Sequence, residues 1–226
     1  MISVEEAKAI IEAEVNPGKI MIESVTEAYG LTLYADVIAR NDIPNFAQSS
    51  MDGYAIKFDD RQGQLSVIGE MPAGATIQLK ILAGEATRIF TGAPLPEGAD
   101  TVVMQEKVAI DGKSLLIKDE SIQRGQNVRL KGAEIKNGDT AMKAGTNLST
   151  AALGFLSGIG CAHVAVFYPP RVAIVLTGNE LQEPGRELQF GQVYEANSVQ
   201  LSAALKNTGI REIKIYRAED DPEKLA

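Results

Sequence analysis

A chain of 226 residues, 45% of them apolar, with a formal net charge of −8, is long enough for two compact units with ordinary globular cores. A single cysteine, Cys161, excludes a disulfide framework. With the only histidine, His163, it makes a poor zinc site, because structural zinc takes four protein ligands and catalytic zinc usually three. The acidic balance argues against a nucleic-acid partner, and no apolar run is long enough to cross a bilayer, so no membrane partner is expected either. The opening "MISVEEAKAIIEAEV" lacks the charge and apolar pattern of a signal peptide, and a cytoplasmic location is the natural expectation.

Ser3-Val4-Glu5-Glu6 is a capping box, and Val4, Ala7, Ile10, Ile11 and Val15 recur at helical spacing, so a helix opens the chain and ends at Pro17 and Gly18. In "PNFAQSSMDGYAIKF", Asp52-Gly53 between apolar neighbours signals a tight turn, because glycine takes positive φ at no steric cost. A hairpin tip and a functional loop account for that stretch equally well. From about residue 21 to 138 short β-like runs alternate with Gly and Pro: "QLSVIGE", "TIQLKIL", "ATRIF", "DTVVMQEKVAI" and "KSLLIKD" read as strands, and Asp111-Gly112 as a hairpin turn.

Next, "TNLSTAALGFLSGIG" reads as a helix capped by Ser149 or Thr150 and closed by Gly158 and Gly160. "HVAVFYPP" is a short strand with Pro169-Pro170 as a hinge. "RVAIVLTG" has the near-continuous apolar character of a buried parallel strand. "NSVQLSAALKNTG" is an amphipathic helix capped by Asn197 or Ser198 and ended by Gly209, and "REIKIYRAEDD" is the next strand. Asp221 and Pro222 have the chemistry of an N-cap and first position of another helix. Two strands and a helix cannot cover both faces of a parallel sheet, so the chain reads as a piece of a longer protein.

Open α/β sheets bind ligands at the carboxyl ends of their strands, and two acidic groups fall there: Thr177-Gly178-Asn179-Glu180 and Asp220-Asp221. Glu180 and Asp220, with a third carboxylate, have the donor chemistry of a Mg²⁺ site; helix capping accounts for Asp221 and a solvated loop for Glu180 just as simply. In "FTGAPLPEGADTVVMQE", Thr91 offers a hydroxyl and Gly92 a close backbone approach, although two successive turns require the same residues. "VRLKGAEIKNGD" sets Arg129 and Lys131 beside Glu134 and Asp139, and an ion-paired surface loop is the commoner use of such a cluster.

Taken in order, "SSMDGYAI", "TGAPLPEGADTVVMQE", "NVRLKGAEIKNGD", "AGTNLSTAALGFLSGIG" and "VAIVLTGNELQEPG…VYEANS" resemble the MoeA family of molybdopterin molybdenumtransferases, whose animal counterpart is the gephyrin E domain. The resemblance spans essentially the whole chain. It implies a multidomain α+β architecture: an elongated helical and strand linker or dimerisation domain (1–20, 36–46 and 139–165), an inserted β-rich domain (21–35 and 47–138), and the start of a Rossmann-like α/β molybdopterin-binding domain (166–226).

It also implies Mg²⁺-assisted insertion of molybdenum, supplied as molybdate, into the dithiolene of adenylated molybdopterin with release of AMP. The implied assembly is a homodimer whose active site lies between the β-rich domain of one subunit and the α/β domain of the other, with a molybdopterin adenylyltransferase as a further partner. Residue by residue, Asp52, Thr91 and Glu180 match the family's catalytic positions, and Ser49, Ser50, Gly92, Arg129, Glu134 and Asn197 would bind substrate. Glu180 and Asp220 would hold the metal.

Three departures stand out. Asn179 replaces the usual Asp of "TGDEL", Ala133-Glu134 replaces "ED", and the family's later "GGVSVG" segment falls beyond these residues, so little or no turnover is expected from residues 1–226 alone. Two other functions fit the same motifs: a non-catalytic paralogue that binds ligand or acts as a dimeric scaffold, and a tungstate-handling homologue.

Overall fold

The computed structural model describes residues 2–16 and 18–218. Pro17, Asp220, Asp221 and Pro222, each given a role above, lie outside the described residues. The chain divides into two compact units, one formed by Met1–Val37 with Met142–Ala226 and the other by Ile38–Ala141.

The second unit is built on a six-stranded mixed sheet in the order Thr101–Met104, Gly53–Ile56, Glu85–Ile89, Leu65–Met71, Ser114–Ile117, Val108–Asp111. Leu65–Met71 and Glu85–Ile89 run parallel; the other neighbours are antiparallel. The two edge strands, Thr101–Met104 and Val108–Asp111, are joined only by the 3₁₀ turn Gln105–Lys107. Such a link reaches about 14 Å, whereas six strands laid flat span about 24 Å, so the sheet must curl until its edges approach.

Side chains alternate across this sheet. Tyr54, Ile56, Leu65, Ala86, Val103 and Leu115 gather on one face with Ile122, and Phe58, Val67, Val108 and Ile117 pack against them, so all six strands contribute to the inside of the curl. Ala55, Met71, Ile89, Ala93, Leu95 and Val102 gather on the other face. Leu65 and Met71 are an even number of residues apart yet serve opposite faces. A bulge between Val67 and Glu70 adds one residue and inverts the alternation. Each large side chain so buried contributes about 1.5–3 kcal/mol.

The expected strand "TIQLKIL" does not form. Its segment makes a single bridge, Lys80–Glu97, plus a hydrogen bond from Gln78 Nε2 to Leu95 O at 2.7 Å, and Ile77 stays 75% exposed. The facing loop contains Pro94 and Pro96, which have no N–H to extend a ladder. "DTVVMQEKVAI" is two strands rather than one, split by the 3₁₀ turn Gln105–Lys107. The Asp111-Gly112 turn forms as expected, with Gly112 at φ 59°. The two ends of this unit meet: the Ala39 amide donates to Asp139 O and the Gly138 amide to Ala39 O, both at 2.9 Å.

In the first unit, Ser3 Oγ accepts from the Glu6 amide at 3.1 Å and Glu6 Oε2 from the Ser3 amide at 2.7 Å, completing the capping box of the helix Val4–Glu14. No residue of that helix is buried. Ile20–Ser24 pairs antiparallel with His163–Phe167, so residues 21–35, expected with the β-rich part, belong here. They contribute Val25, Ala28, Leu31 and Leu33 to a core with Leu148, Leu156, Val164 and Val166. The helix Thr150–Gly158 is capped by Ser149, which accepts from the Ala152 amide at 3.3 Å.

Val172–Thr177 runs parallel to Ile213–Ala218, with the helix Asn197–Asn207 between them in sequence. Val175, Ile215 and Tyr216 of this pair remain exposed. The helix starts differently from expectation: Ala196 occupies the N-cap position, and the buried Glu195 carboxylate does the capping, accepting the Ser198 amide at 2.6 Å and the Ser198 hydroxyl. A carboxylate there meets both the orphan amide and the positive end of the helix dipole.

Candidate functional site

Asp52 closes the bend that leads into Gly53–Ile56, and Thr91 follows the neighbouring strand Glu85–Ile89. The antiparallel register, Gly53 opposite Ile89, carries both residues to the same end of the sheet. There the Thr91 amide donates to Asp52 Oδ1 at 2.7 Å and the Thr91 hydroxyl to the same oxygen at 2.8 Å. Among the described residues Oδ2 accepts no hydrogen bond, and both side chains are exposed. The Thr91 amide above all, then its hydroxyl, holds the Asp52 carboxyl below the usual 3.8; partial desolvation opposes them and the Arg88 guanidinium assists. The carboxylate is thus anionic and fixed through one oxygen.

Gly53 is not a positive-φ turn residue. It opens a central strand, and a Cβ there would lie 2.0 Å from Val103 O; glycine is required by the approach of another backbone. Gly92 is the reverse case, with φ +81° and nothing within 4 Å of a Cβ. Its amide donates to Ser49 O at 2.8 Å while the Ser49 amide donates to Ala93 O at 3.0 Å, fastening the Asp52 loop to the Thr91 loop.

Ser49 is buried, and its hydroxyl donates to Met51 O at 2.6 Å and accepts from the Met51 amide at 3.2 Å, which shapes the bend before Asp52. The exposed Ser50 donates its amide to Asn127 O at 3.0 Å. Gln48–Ser49 pairs with Val128–Arg129, so Arg129 joins the same unit, where its guanidinium meets Glu134 at 2.8 Å with both side chains about half exposed. Lys131 pairs with Asp42 at 3.4 Å.

Sequence reasoning passed over Arg88 and Gln105. Arg88 lies opposite Tyr54, with its guanidinium carbon 5.1 Å from the centre of the Tyr54 ring and 5.2 Å from that of Phe90, and it donates to Gln105 Oε1. The Gln105 amide in turn donates to Asp52 O at 3.2 Å. No local motif marks this group, because its members come from three strand ends.

Glu180 and Asn197 lie in the first unit. Glu180 is exposed after Val172–Thr177, its carbonyl accepting from the Val193 amide at 2.9 Å, and Asn197 is the exposed first residue of its helix. Glu195, not singled out above although it sits in "VYEANS", is held below the usual 4.5, chiefly by the Ser198 hydroxyl and then the Ser198 amide. Among the described residues no three His, Cys, Asp or Glu side chains converge as a metal site. No described helix is long and apolar enough to cross a membrane.

Residues 2–160 match the family described as the MoeA N-terminal region (domain I and II), and the chain belongs to that family. Among its relatives, molybdopterin molybdenumtransferase 2 of Mycobacterium tuberculosis is 35% identical over 230 residues, covering 98% of this chain and 56% of its own length. The molybdopterin molybdenumtransferase of a Nostoc species is 37% identical over 205 residues, covering 88% and 47%. A solved structure of the molybdopterin biosynthesis MoeA protein of Pyrococcus horikoshii matches with a TM-score of 0.86 at 30% identity, covering 99% of this chain and 61% of its own. A second structure of that archaeal protein matches at 0.80 and 32%, covering 100% and 59%. The fold is therefore MoeA-like, and the chain spans about half the length of the curated relatives it matches.

Proposed function

We propose that the chain supplies the Asp52–Thr91 half of a molybdopterin molybdenumtransferase, which inserts molybdenum from molybdate into adenylated molybdopterin and releases AMP. The observation that carries the reading is the fixed, anionic Asp52 carboxylate with one oxygen open, in a member of this family whose relatives bear that name. Delivering a metal oxoanion to an anionic substrate calls for positioning and charge placement more than for a strong nucleophile. Asp52 orients the ligand through Oδ2, and Thr91 holds that carboxylate in place. Ser49, Ser50 and Gly92 shape the loops around it. Arg129, on the strand beside Ser49, and its exposed ion-pair partner Glu134 would contact substrate at the rim.

Glu180 and Asn197 belong to the other unit, and the roles proposed for them are catalysis and metal binding for Glu180 and substrate binding for Asn197. Glu180 is an exposed carboxylate of the oxygen-donor type that Mg²⁺ prefers, and it would hold that ion together with Asp220. Bound Mg²⁺ supplies charge neutralisation at the diphosphate. We further propose the three-part division of the chain given above, with residues 21–35 grouped with the linker elements they pair with rather than with the β-rich domain, and a homodimer. Supporting the homodimer, Val4, Ile10 and Ile11 of the first helix, with Val15 just after it, are exposed apolar residues of the kind that a second copy covers. Sedimentation of the full-length gene product as a monomer at micromolar concentration would refute the dimer.

The test of the activity is AMP release from adenylated molybdopterin with Mg²⁺, with and without molybdate, using the full-length gene product. Molybdate-dependent release supports the transferase, and alanine at Asp52 or Glu180 should abolish it. Asn179, uncharged where the family has Asp, favours a second reading as a non-catalytic ligand-binding or scaffold paralogue. Tight binding without release is the result that reading requires. Tungstate in place of molybdate in the same assay separates the two oxoanions.

A further inference from the structure

The net charge of −8 repels anions, so a site that handles phosphates and a metal oxoanion needs a local cation. Three basic residues in or near the family motifs are engaged in ion pairs: Arg129 with Glu134, Lys131 with Asp42, and Arg124 with Asp59 and Asp100. Arg88 differs. Among the described residues it makes no ion pair, and its one side-chain partner is the neutral Gln105. Gln105 is itself oriented, because its Nε2 donates to Glu106 at 3.1 Å and so turns Oε1 toward the guanidinium. The rings of Tyr54 and Phe90 lie beside that guanidinium, within cation–π reach, without consuming donors. A guanidinium carries five N–H donors, so most remain for a ligand.

Arg88 is also near the Asp52–Thr91 pair, close enough for its charge to act on the Asp52 carboxyl. It is directly opposite Tyr54, two residues after Asp52, and Thr91 lies three residues beyond it on its own strand. We propose that Arg88 is the oxoanion-binding residue of this site, its guanidinium taking a tetrahedral oxoanion of the substrates beside the Asp52 carboxylate. This rests on the transferase reading given above. The oxoanion is either molybdate or a phosphate of the adenylated pterin, and one kinetic experiment separates them.

Steady-state AMP release by the full-length gene product is measured for wild type, Arg88→Gln and Arg88→Lys, varying each substrate in turn. Arg88→Gln should raise one KM roughly tenfold or more, with kcat changed far less, and Arg88→Lys should recover part of the loss. A shift in the molybdate KM assigns the group to the metal oxoanion; a shift in the pterin KM assigns it to phosphate. Unchanged values of both in folded, active Arg88→Gln overturn the proposal. If that variant folds poorly, Gln105→Leu, which leaves the charge but frees its geometry, is read the same way. If wild type releases no AMP, the transferase reading fails on its own, and calorimetric binding of inorganic molybdate and inorganic phosphate then decides. Binding to wild type that Arg88→Gln loses supports the site; equal binding, or none to wild type, overturns it.

Discussion

Thr91 grips Asp52 twice through a single oxygen, its amide at 2.7 Å and its hydroxyl at 2.8 Å from Oδ1. Substituting Thr91 by Val removes one of the two donors and keeps the shape. AMP release by the full-length gene product should fall roughly tenfold, and Thr91→Ser should stay near wild type. Asp52→Asn keeps the acceptor but loses the charge, and should cost about 100-fold. Equal rates for Thr91→Val and Thr91→Ser would show that the hydroxyl bond is incidental.

Two glycines near this pair should respond to alanine for different reasons. Gly53→Ala drives a Cβ to 2.0 Å from the Val103 carbonyl in the middle of a sheet, where backbone cannot yield, and should cost about 3 kcal/mol. Gly92→Ala meets no atom and pays only for φ +81°, about 1 kcal/mol. Denaturant midpoints of the two variants check the order, and a larger loss at Gly92 would contradict it.

Thr87 is fully buried in the same sheet, and its hydroxyl has no partner among the described residues. Thr87→Val replaces that hydroxyl by a methyl of similar size and should raise stability by about 1 kcal/mol. A lower melting temperature would mean that the hydroxyl is satisfied in solution.

The carboxyl groups of Asp36, Asp42, Asp52, Asp119 and Glu195 all sit below their usual values, 3.8 for Asp and 4.5 for Glu, because hydrogen bonds to the charged form outweigh desolvation. A folded-state value lowered in this way adds stability that is complete above the unfolded value and is lost as pH falls through the folded one. Stability should therefore hold from neutrality down to about pH 5 and decline below that. Asp52→Asn should flatten the acid limb, since its share no longer titrates. An acid limb identical to wild type would contradict the Thr91 contribution.

What could be read from the chain was local. The Ser3–Glu6 capping box, the Ser149 cap and the Asp111-Gly112 turn each depend on residues within a few positions, and each forms as read. What escaped depends on distant backbone. Gly53 was read for its φ, whereas Val103 dictates it. "TIQLKIL" has strand composition but faces prolines that offer no donors. Asp52 and Thr91 stand out in the sequence as turn and hydroxyl chemistry, and only the resemblance gives them a shared role. Their bond crosses 39 positions, and nothing in either neighbourhood announces it. Arg88 carried no motif at all, because its meaning comes from Tyr54, Phe90 and Gln105 around it.

The joined ends of the unit Ile38–Ala141 have a practical consequence. With Ala39 and Asp139 hydrogen-bonded to each other, the intervening stretch is a cassette: a loop that could be lifted out and its scar bridged by a short turn. Asp52, Thr91 and Arg88 would all travel with it. That makes these three side chains portable together, open to transplantation into another host fold, to rejoining in a permuted order, and to exchange between relatives as one block.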